Sequence, residues 1–218
     1  MTSDALAEAW RIRKQSEMEK RAQTSAPIHE LLERRWSPRA FANRSVEPEK
    51  LRQLFEAARW SPSSSNSQPW NFIVSLKENP EEFALAFDCL RPGNQKWVKN
   101  APVLLFAVAR LAWPNGSDPN RHAIYDLGQS VAHLTFEASA EGLVVHQMGG
   151  FFPEKVKQTY GIPDGYEAMT AVAIGYPGDP DALPEDLRQR EMASRTRKPL
   201  ESFVFAGQWD TPAPLLKG

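Results

Sequence analysis

The stretch from Arg35 to Trp70 constrains this chain most, because it joins several kinds of segment with little slack. It opens Arg35-Trp36-Ser37-Pro38-Arg39-Ala40-Phe41, where side chains two residues apart face the same side of an extended backbone. Pro48 then starts a helix at a position where its missing N–H costs little, with Glu47 and Glu49 near the positive end of the helix dipole. Leu51, Leu54, Phe55 and Ala58 recur at helical spacing and form the buried face, and Ser61-Pro62 stops the helix. A loop of small hydrogen-bonding residues, Ser63 to Gln68, closes on Pro69-Trp70. Beyond it, Phe72, Val74 and Leu76 lie on one side of a short strand and Ile73 on the other, a pattern for a strand covered on both faces.

The rest of the chain reads as mixed helices and strands. Helices are predicted from Pro80 to Leu90, from Ala123 to Glu141 and from Pro153 to Tyr160. The longest carries a stripe of Ile124, Leu127, Val131, Leu134 and Ala138 and ends at Gly142. Strands are predicted at 103–108 and 169–174, a short strand or turn at 143–147, a surface loop at 178–185 and an extended tail at 199–204. Asp4 to Gln23 reads as a charged, solvated helical arm. Without a regular strand–helix alternation, the pattern points to an α+β layered fold. Residues 1–27 are assigned to the arm and 28–218 to one domain.

Composition excludes several functions. The net charge of -1 offers no attraction for nucleic acid or acidic lipid, and no run is apolar enough to span a bilayer. Cys89 is the only cysteine, so no internal disulfide forms, and a reducing cytoplasm is the simplest setting. Its neighbours Phe87 and Leu90 point to a buried thiol. His29, His122, His133 and His146 form no paired metal-ligand motif, so no metal site is expected. Gly128-Gln129-Ser130 lacks the second glycine of a nucleophile elbow and falls within a helical pattern. The glycine patterns of a Rossmann unit and of a P-loop are also missing, so a nucleotide-like cofactor needs some other architecture.

Three segments retain chemical interest. Arg35, Ser37 and Arg39 could converge on one phosphate, for which arginine forks and a serine hydroxyl are suitable donors; the same triplet also fits a solvated basic turn. The Ser63–Gln68 loop offers uncharged donors and acceptors suited to the edge of a flat polar ring such as a flavin or pterin, and also fits a plain turn. Met148-Gly149-Gly150-Phe151 would let backbone N–H groups approach a ligand, or simply turn the chain. A second basic cluster, Arg195-Thr196-Arg197-Lys198, could close on the same phosphate or form a charged tail.

In order along the chain, Arg35-Trp36-Ser37-Pro38-Arg39-Ala40-Phe41, Pro62-Ser63-Ser64-Ser65-Asn66-Ser67-Gln68-Pro69-Trp70, Asn94 before Ala101-Pro102, Gly149-Gly150 and Arg195-Thr196-Arg197-Lys198 resemble the nitroreductase family of flavoenzymes. The resemblance covers about residues 28–204. It implies a central mixed, mainly antiparallel sheet flanked by helices, and a homodimer with FMN at the subunit interface. It implies that Arg35, Ser37, Arg39, Arg195 and Arg197 hold the phosphate end. Pro62, Ser63, Ser64 and Asn66 would reach the FMN of the other subunit, and Asn94, Met148, Gly149 and Gly150 would meet the ring. It further implies NADH or NADPH as donor, a nitroaromatic, quinone or related small-molecule acceptor, and alternating half-reactions at flavin N5 with no catalytic side chain. Reductive dehalogenation, flavin destruction and non-catalytic flavin binding remain alternatives on the same fold. Many members carry an acidic residue where Gly149 stands, which leaves donor handling open.

Overall fold

The computed structural model describes residues 20–116 and 118–216. Contacts divide the chain into a unit spanning Ile28–Met192 and a second unit that joins the segment ending at Pro27 to the segment beginning at Ala193. The expected arm from Asp4 to Gln23 lies, up to residue 19, outside the described residues.

The larger unit is organised by its most apolar strand. Strand β1 is Trp70–Leu76, β2 Val103–Arg110, β3 Val144–Met148 and β4 Tyr166–Gly175, in the spatial order β1-β2-β4-β3. Every pairing among them is antiparallel, so the parallel pair that would make the sheet mixed is not formed by the described residues. β2 is buried at every position from Val103 to Ala109. Because strand side chains alternate, Leu104, Phe106 and Val108 enter one core, while Val103, Leu105, Ala107 and Ala109 enter another. A register shift at Ala107/Val108, opposite Thr170 and Ala168, leaves Met169 as an extra residue in β4.

Helices cover both faces. Helix α1 is Glu30–Arg34, α2 Pro48–Arg59, α3 Pro80–Asp88, α4 Pro92–Val98, α5 Ala123–Ala140, α6 Pro153–Tyr160 and α7 Glu185–Met192. Proline stands at the first position of α2, α3, α4 and α6, where the absent N–H would have had no helical partner. The α2 and α5 stripes build one core with Leu51, Leu54, Ala58, Leu127, Val131 and Leu134. Phe83, Trp97, Val156 and Leu187, from α3, α4, α6 and α7, fill the other. At the start of α2, Glu47 accepts from the Tyr176 hydroxyl at 2.6 Å and from Arg44 at 2.6 Å, and these bonds hold its carboxyl down at about 2.

Several expectations need correction. Ile124, placed on the buried stripe of α5, is 50% exposed; Ala123, Asp126 and Ser130 occupy that face instead. Helix α4 falls in a stretch for which the sequence reading gives no element; buried Trp97 and Val98 secure it. Helix α7 begins where the Pro/Asp-rich loop was expected to end. The tail at 199–204 is not extended: Leu200–Ser202 forms a 3-10 turn, closed by the Ser202 hydroxyl donating to the Pro199 carbonyl at 2.8 Å. In that smaller unit the chain then doubles back, with the Ala213 N–H bonded to the Val204 carbonyl at 3.0 Å.

One glycine is dictated by close approach. Gly178 donates to the Ala40 carbonyl at 2.9 Å, and a Cβ there would sit 2.5 Å from the Phe41 carbonyl oxygen. Gly178→Ala is therefore expected to cost about 1–3 kcal/mol of stability, read from the urea midpoint; an unchanged midpoint would show that this junction yields freely.

Candidate functional site

The chain leaves α1 in an extended conformation at Arg35, with φ -61° and ψ 126°. Extension brings residues two apart to one side, and the Arg35 guanidinium donates to the Ser37 hydroxyl at 3.4 Å. Arg39 follows on the same segment. Its guanidinium lies 3.8 Å from the Glu191 carboxylate, an ion pair too long to be a hydrogen bond. Glu191 is 1% exposed and accepts the backbone N–H groups of Arg39, at 2.8 and 3.0 Å, and of Ala40, at 3.1 Å.

His146, on β3, approaches the segment from another side. Its Nδ1 lies 2.9 Å from the Pro38 carbonyl oxygen, so that nitrogen carries the proton and donates. Its ring lies over Trp97 with centroids 4.5 Å apart. Burial, helped by the positive charge of Arg39, pushes its pKa from 6.5 down to about 4, against the opposing pull of the Pro38 carbonyl.

The Ser63–Gln68 loop is held in an unusual shape. Ser65, Asn66 and Gln68 have φ of 50°, 52° and 45°, left-handed values that non-glycine residues rarely adopt. Such conformations persist only where their surroundings fix them. Ser64 N–H donates to the Asp126 carboxylate at 3.0 Å, and Gln68 N–H to the Ser63 hydroxyl at 3.1 Å. Arg110 donates to the Ser67 carbonyl at 2.6 Å, and the Asn120 carboxamide to the Ser67 hydroxyl at 3.3 Å. Ser63 and Ser67 thus serve the shape of the loop, while Pro62 and Asn66 are exposed.

The third segment forms a clasp. The Gly150 carbonyl accepts from the Asn94 carboxamide at 2.9 Å and from the Arg91 N–H at 2.9 Å. A Cβ on Gly150 would meet Asn94 Nδ2 at 2.5 Å, whereas one on Gly149 would meet open space. Met148 is 4% exposed, so its side chain faces the core, and its carbonyl accepts from the Thr170 hydroxyl at 3.3 Å.

Arg195 and Arg197 belong to the smaller unit. There Arg195 donates to the Lys20 carbonyl at 2.5 Å and Arg197 to the Thr196 carbonyl at 2.7 Å. Burial and the charge of Arg197 lower the Arg195 pKa.

Within the larger unit, the structure therefore joins Arg35 with Ser37 and Asn94 with Gly150. It adds residues that the sequence reading did not single out: Glu191, Asp126, Arg110 and Asn120. Asp126 had a readable signal, a carboxylate on the buried stripe of α5, and Arg110 had another, a cation ending the apolar run of β2. Candidate nucleophiles are committed to structure. The Ser130 hydroxyl donates to the Ala58 carbonyl at 3.0 Å, and burial raises the pKa of the Cys89 thiol. No group of three metal-ligating side chains occurs among the described residues. In chemical terms the Arg35–Arg39 segment offers guanidinium and hydroxyl donors, and the Asn94–Gly150 clasp offers amide and backbone groups.

The profile of the Nitroreductase family matches residues 32–176. A crystal structure of an oxidoreductase containing FMN superimposes with a TM-score of 0.81 and 38% identity, covering 86% of this chain and 95% of that one. An uncharacterized 15.4 kDa protein of Mycolicibacterium smegmatis is 34% identical over 134 residues, 61% of this chain and 87% of its own. A protein of Thermus thermophilus named NADH dehydrogenase is 26% identical over 182 residues, 67% of this chain and 84% of its own.

The folded-state pKa of His146, about 4, lies below its ordinary 6.5. The unfolded chain then takes up the proton first, so stability should fall with pH across that window, by on the order of 3 kcal/mol at full protonation. Urea midpoints of wild type and His146→Phe at pH 7, 5.5 and 4 check this. The variant should lose less stability on acidification, and parallel curves would refute the assignment.

Proposed function

Because this chain belongs to the nitroreductase family, we propose that it is an FMN-dependent oxidoreductase taking electrons from NADH or NADPH and passing them to nitroaromatic, quinone or related acceptors. When bound, FMN supplies hydride acceptance and release at N5, in two alternating half-reactions. The work of this chain is to hold and orient.

The observation that carries the reading is the extended Arg35–Arg39 segment. The side chains of Arg35 and Ser37 lie within 3.4 Å of each other, and the backbone of Arg39 is fixed from beneath by Glu191. Arginine forks and a hydroxyl are the donors that phosphate oxygens take, and the long Arg39–Glu191 contact leaves guanidinium N–H groups for an anion. The donor set of this segment therefore fits the phosphate end of FMN. For the ring, Asn94, Met148, Gly149 and Gly150 provide backbone and amide groups. The match of a solved FMN-containing oxidoreductase at 38% identity supports the same cofactor here.

Pro62, Ser63, Ser64 and Asn66 act in this reading on the FMN of a second copy. A loop already locked in one shape loses little entropy on binding. Exposed apolar surface stands nearby in sequence and on α5, with Trp60 72%, Tyr125 69% and Ile124 50% exposed, and a homodimer would cover it. His146 stays neutral and bonded to Pro38, which removes it as a proton carrier.

Purified protein should be yellow, sediment as a dimer with one FMN per chain, and bleach anaerobically with NADH or NADPH. Colour should return on adding menadione or a nitrofuran. Protein that binds FMN but is bleached by neither nucleotide would overturn the proposed activity.

A further inference from the structure

We propose that Glu191 and His146 clamp the Pro38–Arg39 peptide group from two sides and thereby aim the Arg39 guanidinium at a phosphate, which makes both positioning residues for a phosphate-bearing flavin. The inference rests on the reading above and deepens it.

The two contacts meet on one peptide plane. The Pro38 carbonyl accepts from His146 Nδ1 at 2.9 Å, and the Arg39 N–H of the same peptide donates to the two Glu191 oxygens at 2.8 and 3.0 Å. A peptide group is rigid and planar, so fixing its two polar ends fixes its rotation. The ring of Pro38 already sets that residue's φ. The two peptides that follow are each held at one end: the Ala40 N–H donates to Glu191 at 3.1 Å, and the Ala40 carbonyl, one peptide further on, accepts from Gly178 at 2.9 Å. What remains adjustable is the Arg39 side chain itself.

The parts come from distant places in the chain. Glu191 lies at the end of α7, His146 on β3, and Trp97, which seats the imidazole, on α4. A surface turn needs no such arrangement. A carboxylate buried to 1% exposure is expensive unless its charge is used. Here its two oxygens meet two successive N–H groups, and its charge stands 3.8 Å from Arg39, drawing the guanidinium to one side. A neutral acceptor would satisfy the N–H groups without that pull.

The test compares FMN with riboflavin, which has the same ring but no phosphate, by titration of flavin fluorescence. Glu191→Gln keeps the size of the side chain and removes its charge and one acceptor. The FMN Kd should rise about tenfold or more while the riboflavin Kd changes by less than about twofold. In an Arg39→Ala background, Glu191→Gln should add less than about twofold for FMN, because the residues act as one unit. Equal weakening of both ligands, or of neither, would overturn the clamp and leave the flavin reading standing. Wild-type protein that fails to bind FMN would instead overturn the flavin reading. Should Glu191→Gln not fold, His146→Phe carries the same comparison, since it keeps a ring over Trp97 and removes only the donor to Pro38.

Discussion

Strand β2 has no polar side chain between Val103 and Ala109 and must be shielded from water on both faces. Everything else in the larger unit is arranged around that requirement. Two helices cover one face and four shorter ones contribute to the other, and the sheet is antiparallel throughout. Only at the end of β2 does polarity return, with Arg110, and there the strand reaches out to hold the Ser63–Gln68 loop through the Ser67 carbonyl. The hydrophobic demand of one strand thus decides where the serine-rich loop can be anchored.

Two buried carboxylates apply one solution to two loops. Asp126 is 2% exposed and accepts Ser64 N–H; Glu191 is 1% exposed and accepts those of Arg39 and Ala40. Each lies beneath an irregular segment, and each supplies its backbone N–H groups with a charge-assisted bond. The cost of burying these charges is borne where shape matters most, as is the strain of three left-handed residues in the serine-rich loop.

Much of this was legible in the sequence because it is local. The apolar run of β2, the stripe of α2 and the prolines that open α2, α3 and α6 are patterns of neighbouring residues, and each corresponds to an element of the structure. The spacing of Arg35 and Ser37 foretold their meeting because an extended chain alternates its sides. The long-range partners were hidden. Nothing near Glu191 says that its carboxylate will travel to residues 151 and 152 positions away, and His146 looks like any strand histidine until Pro38 arrives. Helix α4 was not read from the sequence, since it is short and is secured by burying Trp97, a tertiary effect.

The adjoining glycines at 149 and 150 divide freedom between them. A side chain at 150 would displace the Asn94 carboxamide from its bond to the Gly150 carbonyl, whereas 149 opens onto vacant room. A descendant of this chain could acquire a carboxylate or a larger group there by a single codon change without disturbing the clasp beneath. Change at 149 is therefore cheap, and the fold can absorb it without first having to be rebuilt.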